Sequence, residues 1–189
     1  FGMGAAPDSW DALLTAMTHK GYTKQELISA GLAVNGKNGR LYDKFRNRLM
    51  LPVIDVRGDV VGFGSRVLDK SEPKYMNTPE TLTYSKRRIL YGMNLAKKSK
   101  RSNIILCEGN LDVVTLHQAG FDNAVASMGT ALTQEQLRLL SRYTKELVLC
   151  YDNDNAGQQA TRRALELLNN SEFSVKVLQL PRRLVDGEY

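Results

Sequence analysis

Two carboxylates one residue apart carry the clearest chemical signal in this chain, in Val148-Leu149-Cys150-Tyr151-Asp152-Asn153-Asp154-Asn155-Ala156-Gly157. A short apolar run that ends abruptly in charge reads as a buried strand with chemistry at its C-terminal end. Along an extended chain, Asp152 and Asp154 point to the same side. Two like charges so close raise each other's pKa, and a bound divalent cation removes the conflict. A second acidic set, Glu108-Gly109-Asn110-Leu111-Asp112, follows another apolar run at residues 103–107. If the two runs are parallel strands, Glu108, Asp152 and Asp154 gather at one sheet edge, with Asp112 a turn into the next helix. Carboxylate oxygens suit hard cations such as Mg²⁺, and such a cluster suits phosphoryl transfer. Each acid could instead serve as a helix N-terminal charge favoured by the dipole.

Alternating strand and helix patterns must position these acids. Strands are expected at residues 103–107, 123–127, 146–151 and 174–180, and helices at 111–119, 133–143 and 155–168. That alternation predicts an α/β fold, a mainly parallel sheet flanked by helices. Ala156, Ala160 and Ala164 recur every four residues, a stripe that lets the last helix lie close to the sheet. The preceding half reads as a basic α+β subdomain. A helix is expected at residues 8–20 with Asp8 as its N-cap, and a capping box at Thr23-Lys24-Gln25-Glu26 opens a second. Residues 51–56 and 60–67 predict a hairpin turning at Arg57-Gly58-Asp59. Arg46 and Arg48 alternate as strand residues would, placing both guanidinium groups on one side. Gly62-Phe63-Gly64 reads as close packing in the hairpin and not as a dinucleotide site. Residues 70–88 are polar, with Tyr75 and Tyr84 among Lys70, Lys74, Lys86, Arg87 and Arg88, a mixture that suits phosphate contact and base stacking or a solvated loop. Lys97-Lys98-Ser99-Lys100-Arg101 reads as the joint, which predicts domains over residues 1–101 and 102–189.

Charge is divided along the same line. Residues 1–101 hold 18 Lys/Arg against 9 Asp/Glu, and residues 102–189 hold 8 against 11, for a net charge of +6. A basic half implies a polyanionic partner, most simply nucleic acid or nucleotide phosphates. No stretch is apolar enough for long enough to span a membrane. The N-terminus has neither a start Met nor the pattern of a signal peptide, so the sequence reads as part of a longer chain. Cys107 and Cys150 are too few and too poorly spaced for a zinc site and read as buried free thiols. His19 and His117 read as helix residues without chemistry.

Glu108-Gly109-Asn110-Leu111-Asp112 followed 44 residues after Glu108 by Asp152-Asn153-Asp154 resembles the Toprim signature. Residues 43–52, Gly62-Phe63-Gly64-Ser65-Arg66-Val67, Pro73-Lys74-Tyr75-Met76-Asn77-Thr78-Pro79-Glu80, Leu90-Tyr91-Gly92, Ala124-Val125-Ala126-Ser127-Met128-Gly129-Thr130-Ala131-Leu132 and Leu149 to Gly157 narrow the resemblance to the bacterial DnaG-type primase. The likeness covers roughly residues 1–180. It implies an RNA polymerase core that makes short primers on single-stranded DNA in DNA replication, using Mg²⁺ or Mn²⁺. Glu108, Asp152 and Asp154 would be the catalytic acids, with Asp112 a fourth metal-site residue. Arg46, Arg48, Arg66, Lys74, Tyr75, Asn77 and Lys86 match positions that bind nucleotide and template. Implied partners are single-stranded DNA, ribonucleoside triphosphates and the RNA–DNA hybrid. In a full-length protein they include a replicative helicase and a single-stranded-DNA-binding protein, at forks in the bacterial cytoplasm. Three departures accompany the likeness. Asn110-Leu111 replaces the usual Tyr-Met. Leu180-Pro181-Arg182-Arg183-Leu184-Val185-Asp186 diverges from the family's last acidic motif and leaves Asp186 a weak metal candidate. The family's N-terminal zinc module and C-terminal helicase-interacting region are not expected within these residues. Another Toprim enzyme (a nuclease or topoisomerase fragment) and a non-catalytic single-strand-binding module remain as alternatives.

Overall fold

The computed structural model describes residues 1–179. By its contacts the described chain forms two units, Phe1–Ile54 with Gly58–Ser85, and Asp55–Arg57 with the described residues from Lys86. This division falls earlier in the chain than the basic run at 97–101.

The first unit begins with β1 (Gly4–Ala6), α1 (Ala12–His19), α2 (Lys24–Ser29) and the short hairpin β2 (Ala33–Asn35) and β3 (Leu41–Asp43). Strands β4 (Arg48–Ile54), β5 (Val60–Val67) and β6 (Tyr75–Asn77) follow, and an antiparallel sheet runs in the order β1-β4-β5-β6. The 51–56/60–67 hairpin is present and starts earlier than expected, at Arg48. Val53 and Leu51 pack inward from β4. The capping box at Thr23 is also present, with Glu26 and Thr23 each accepting from the other's backbone N–H.

Helix α1 is shorter than predicted, and its cap is not Asp8. Asp11 occupies the N-cap without a side-chain bond to the helix. The free N–H groups of Leu13 and Leu14 instead donate to the carboxylate of Asp43, at 2.7 and 2.9 Å. Asp43 is buried, so this long-range cap replaces solvation in a place water does not reach. Removing it leaves two N–H groups without partners. Asp43→Ala is expected to cost about 2 kcal/mol, and Asp8→Ala or Asp11→Ala a few tenths, measured by urea denaturation.

The 70–88 stretch is not a uniform solvated loop. Tyr75–Asn77 adds a strand to β5, with Arg66 opposite Tyr75. Tyr84 is fully buried beneath it, so it offers no stacking face. Gly62 explains why: a Cβ there would lie 2.9 Å from the Tyr84 ring and 3.1 Å from Thr78. The Gly62-Phe63-Gly64 spacing therefore serves packing, as expected.

The second unit contains β7 (Leu90–Tyr91), α3 (Met93–Ala96), β8 (Asn103–Cys107), α4 (Asn110–Gln118), β9 (Ala124–Ser127), α5 (Gln134–Leu140), β10 (Glu146–Cys150), α6 (Asn155–Leu168) and β11 (Ser174–Val177). Its sheet runs β11-β10-β8-β9-β7, parallel except for the short edge strand β7. Leu106, Leu147, Leu149 and Val125 form the sheet side of the core, and Leu137, Leu140, Ala164 and Leu168 the helix side. Gln136 is wholly buried, and its amide donates to the carbonyls of Lys86 and Ile89 at 3.0 and 2.9 Å. The last strand spans Ser174–Val177, and residue 180, its expected end, lies outside the described residues. No helix among the described residues is long and apolar enough to cross a membrane.

The order of strands fixes where ligands can bind. From β8 the chain crosses to β9 on one side, then returns to β10 on the other. Connections leave β8 and β10 in opposite directions, which opens a crevice at their C-terminal ends.

Candidate metal centre and basic surface

Strands β8 and β10 pair in parallel register, Asn103 opposite Glu146 and Cys107 opposite Cys150. The next residues therefore emerge together at the crevice, which brings Glu108 beside the Asp152 segment. Asp152 N–H donates to Glu108 Oε1 at 3.2 Å, tying the two strand ends. Asp154 is the N-cap of α6, and its Oδ1 accepts from Gly157 N–H at 2.8 Å. Asp112 lies in the first turn of α4 and accepts from Gly109 N–H at 2.9 Å. Helix capping and a shared electrostatic site are thus both true of Asp112 and Asp154, whereas Glu108 and Asp152 cap no helix.

Burial pushes the Glu108 carboxyl above its ordinary range, and the charges of Asp152, Asp154 and Asp112 push further, against the opposing hydrogen bond from Asp152. Burial raises Asp152 as well, with Asp112 and Asp154 adding to it. These groups sense one another as a cluster. Among the described residues, however, no three His, Cys, Asp or Glu side chains are arranged to hold one ion together. Mg²⁺ usually takes one or two carboxylates and completes its shell with water and substrate phosphate. A pair of hard oxygen donors with repelling charges fits that requirement. Asp186 lies outside the described residues.

Gly157 makes the close approach possible. A Cβ on it would meet the Asp152 carbonyl oxygen at 2.0 Å and Glu108 Oε1 at 2.7 Å. The sequence offered the Asp-Asn-Ala-Gly spacing but no sign that this glycine supports Glu108. Beneath the acids, Cys107 and Cys150 are buried free thiols.

The basic candidates divide by burial. Arg66 and Lys74 lie 5.6 and 5.7 Å from the centre of the exposed Tyr75 ring, a cationic patch with a stacking face. Arg46 stacks on Trp10 and Tyr42, at 4.2 and 5.0 Å from the ring centres. Arg46 and Arg48 do not alternate along a strand. Asn47 between them adopts φ 49°, and its amide is held by Asp69 at 2.9 Å. Asn tolerates this left-handed conformation better than most residues. Arg48 consequently turns inward. It is 5% exposed and donates to the Pro73 carbonyl at 2.9 Å, and burial lowers its pKa. Its position suits a prop for the loop carrying Lys74 more than a phosphate contact. Asn77 and Lys86 are half-buried, Asn77 in the first unit and Lys86 in the second. Trp10, exposed under Arg46, carried no mark in the sequence beyond its helix-start context.

A doubly crossed parallel sheet with acids at its switch point defines a Toprim-like catalytic module, and residues 105–187 match the Toprim-like family. Residues 1–97 match the DNA primase catalytic core, N-terminal domain. The chain belongs to the DNA primase catalytic core family. It is 50% identical over 182 residues to the DNA primase of Clostridium acetobutylicum, covering 96% of this chain and 30% of that protein. It is 45% identical to the DNA primase of Deinococcus radiodurans, covering 96% of this chain and 32% of that one. The chain thus spans about a third of the length of these relatives. Its structure resembles the Escherichia coli primase catalytic core, with a TM-score of 0.88 and 40% identity, over 99% of this chain and 61% of that one. A DnaG primase catalytic domain bound to single-stranded DNA gives a TM-score of 0.87 at 40% identity, over 99% of this chain and 62% of that one.

Proposed function

We propose that this chain is part of the catalytic core of a replicative primase, a nucleotidyltransferase that joins ribonucleotides on a single-stranded DNA template. The observation that carries the reading is the in-register pairing of β8 with β10, which sets Glu108 against Asp152 at the switch point in a chain of the primase core family. In the reaction, a primer 3′-hydroxyl attacks the α-phosphate of an incoming ribonucleotide and pyrophosphate leaves. Glu108 with Asp152 or Asp154 would hold Mg²⁺ or Mn²⁺, the third of these acids and Asp112 adding to the negative field. A bound divalent cation stabilises the attacking and leaving oxygens of such a displacement. Arg46, Arg66 and Lys74 neutralise phosphates, Tyr75 offers a face to a base and Asn77 adds a polar contact, while Lys86, in the second unit, is a separate candidate for contact with nucleotide or template. Arg48 supports the Lys74 loop from within. Nucleotides, template and RNA–DNA hybrid are the binding partners of this core. A helicase and a single-stranded-DNA-binding protein would be partners of the longer protein, at replication forks in the cytoplasm.

The direct test is ribonucleotide incorporation on a single-stranded template by the protein carrying this chain, with and without Mg²⁺. Template-dependent RNA synthesis supports the reading. Template cleavage without any nucleotide requirement would favour a Toprim nuclease instead.

A thermal consequence follows from the raised carboxyls. Their stabilising contribution is complete below the unfolded values, about 4.3 for Glu and 3.9 for Asp, and is lost as pH rises through the higher folded values. At neutral pH the ionised, metal-free carboxyls therefore carry a cost, chiefly of desolvation, with mutual repulsion adding to it. Mg²⁺ at 100 times its Kd is expected to stabilise by about 2.7 kcal/mol, with each kcal/mol raising Tm by about 2–4 °C. Glu108→Gln and Asp152→Asn should raise the metal-free Tm at pH 7 and diminish the Mg²⁺ response. Melting curves at pH 5 and pH 7 check this, and an undiminished Mg²⁺ response in both variants would count against the site.

A further inference from the structure

A cavity of about 330 Å³ opens beside Glu108 and lies wholly within the second unit. One wall is the turn after β9, with Ser127, Gly129, Thr130, Ala131 and Leu132. The other is α6, which contributes Ala156, Ala160 and Arg163, and Tyr151 and Glu108 complete the lining. Ala156, Ala160 and Arg163 fall at i, i+4 and i+7, one face of the helix. The alanine stripe thus has two uses. Ala164 is buried in the core and Ala160 packs partly against it, while Ala156 and Ala160 also border the cavity.

Glu108 and Arg163 are the charged residues in this lining. Arg163 is exposed, and its side chain has no hydrogen-bond or ion-pair partner among the described residues. The Thr130 side chain is likewise without a partner among them, while Ser127 Oγ closes the turn on the Thr130 carbonyl at 2.9 Å. A divalent cation on Glu108 and its neighbouring acids would offset the negative charge of that wall and leave the Arg163 guanidinium as the uncompensated charge of the lining, with the Thr130 hydroxyl in the same cavity. An anion is the complement of such a space. A guanidinium fork matches phosphate oxygens in particular.

We propose that this cavity is a phosphate subsite, with Arg163 as its cation and Thr130 as a hydroxyl donor. It rests on reading Glu108 as part of a nucleotidyl-transfer centre. The phosphate belongs to the triphosphate of the incoming nucleotide or to the backbone of the nucleic acid, and these differ in what Arg163 controls.

The test is equilibrium binding by the full chain, first to inorganic tripolyphosphate with Mg²⁺, then to an oligothymidylate over a salt series. Arg163→Gln is compared with Arg163→Lys and Glu108→Gln, and melting curves establish folding. If the triphosphate is the ligand, Arg163→Gln weakens tripolyphosphate about tenfold and leaves oligothymidylate unchanged, and Arg163→Lys recovers part of the loss. If the backbone is the ligand, oligothymidylate weakens, and the slope of log K against log salt flattens by about one contact, ~0.7. The subsite is overturned if Arg163→Gln moves neither affinity while Glu108→Gln removes the Mg²⁺ dependence, a result that leaves the proposed function standing. If wild-type binding shows no Mg²⁺ dependence at all, the metal centre falls, and the subsite with it.

Discussion

Asp152→Ala is expected to lower ribonucleotide addition by at least about 10²–10³-fold in the protein carrying this chain, with little loss of stability. Asp152 is an exposed residue at the strand end whose carboxyl is only partly desolvated, and its own backbone N–H, which the substitution retains, makes the bond to Glu108. Asp154 needs a more careful pair of variants, because it caps α6 through Gly157 N–H. Asp154→Ala removes both the charge and the cap, so it should lose activity together with about 1 kcal/mol of stability. Asp154→Asn keeps an oxygen that can cap the helix but removes the charge. It should melt near the wild-type temperature and still be inactive. Rate measurements at saturating nucleotide, paired with melting curves, separate the two roles. An active Asp154→Asn protein would reduce Asp154 to a helix cap.

Gly157→Ala should be nearly as damaging without touching any charge. The added methyl would sit 2.0 Å from the Asp152 carbonyl oxygen, a backbone atom that cannot swing aside like the end of a side chain. Either α6 lifts from the sheet or the Asp152 segment shifts, and Glu108 Oε1 at 2.7 Å is displaced in both cases. Overpacking of this kind costs about 1–3 kcal/mol, and a displacement near 1 Å at a reacting centre can cost about 10²-fold in rate. The expected result is a Tm lower by several degrees and an activity lower by about two orders of magnitude. An exposed helix position would instead gain stability from the same Gly→Ala change. The sign of the Tm shift therefore tests the packing directly.

The acidic half was legible because its two cues coincide in one dimension. Apolar runs ending in Glu108 and Asp152 are local patterns, and a parallel sheet turns that shared ending into shared position. The α6 span of Asn155–Leu168 was legible for the same reason, through the asparagine–glycine opening and the regular alanines. The basic half was harder because long-range bonds decide its detail. Asp43 caps α1 from about thirty residues away, which no local pattern around Asp8 or Asp11 announces. The Arg46–Arg48 alternation looked like a strand, but the left-handed Asn47 turns Arg48 into the interior. Tyr84 looked like a stacking aromatic, and the room left by Gly62 buries it. Single charges and rings indicate composition, and only packing decides which of them reach a ligand.

The central claim is that the strand ends carrying Glu108, Asp152 and Asp154 hold the catalytic cation. Anomalous diffraction from crystals of the chain soaked in Mn²⁺ tests it most directly. The expected result is a peak bonded to carboxylate oxygens of Glu108 and of Asp152 or Asp154, absent from Asp152→Asn crystals treated alike. Mn²⁺ bound elsewhere, with none at this edge, would contradict the account.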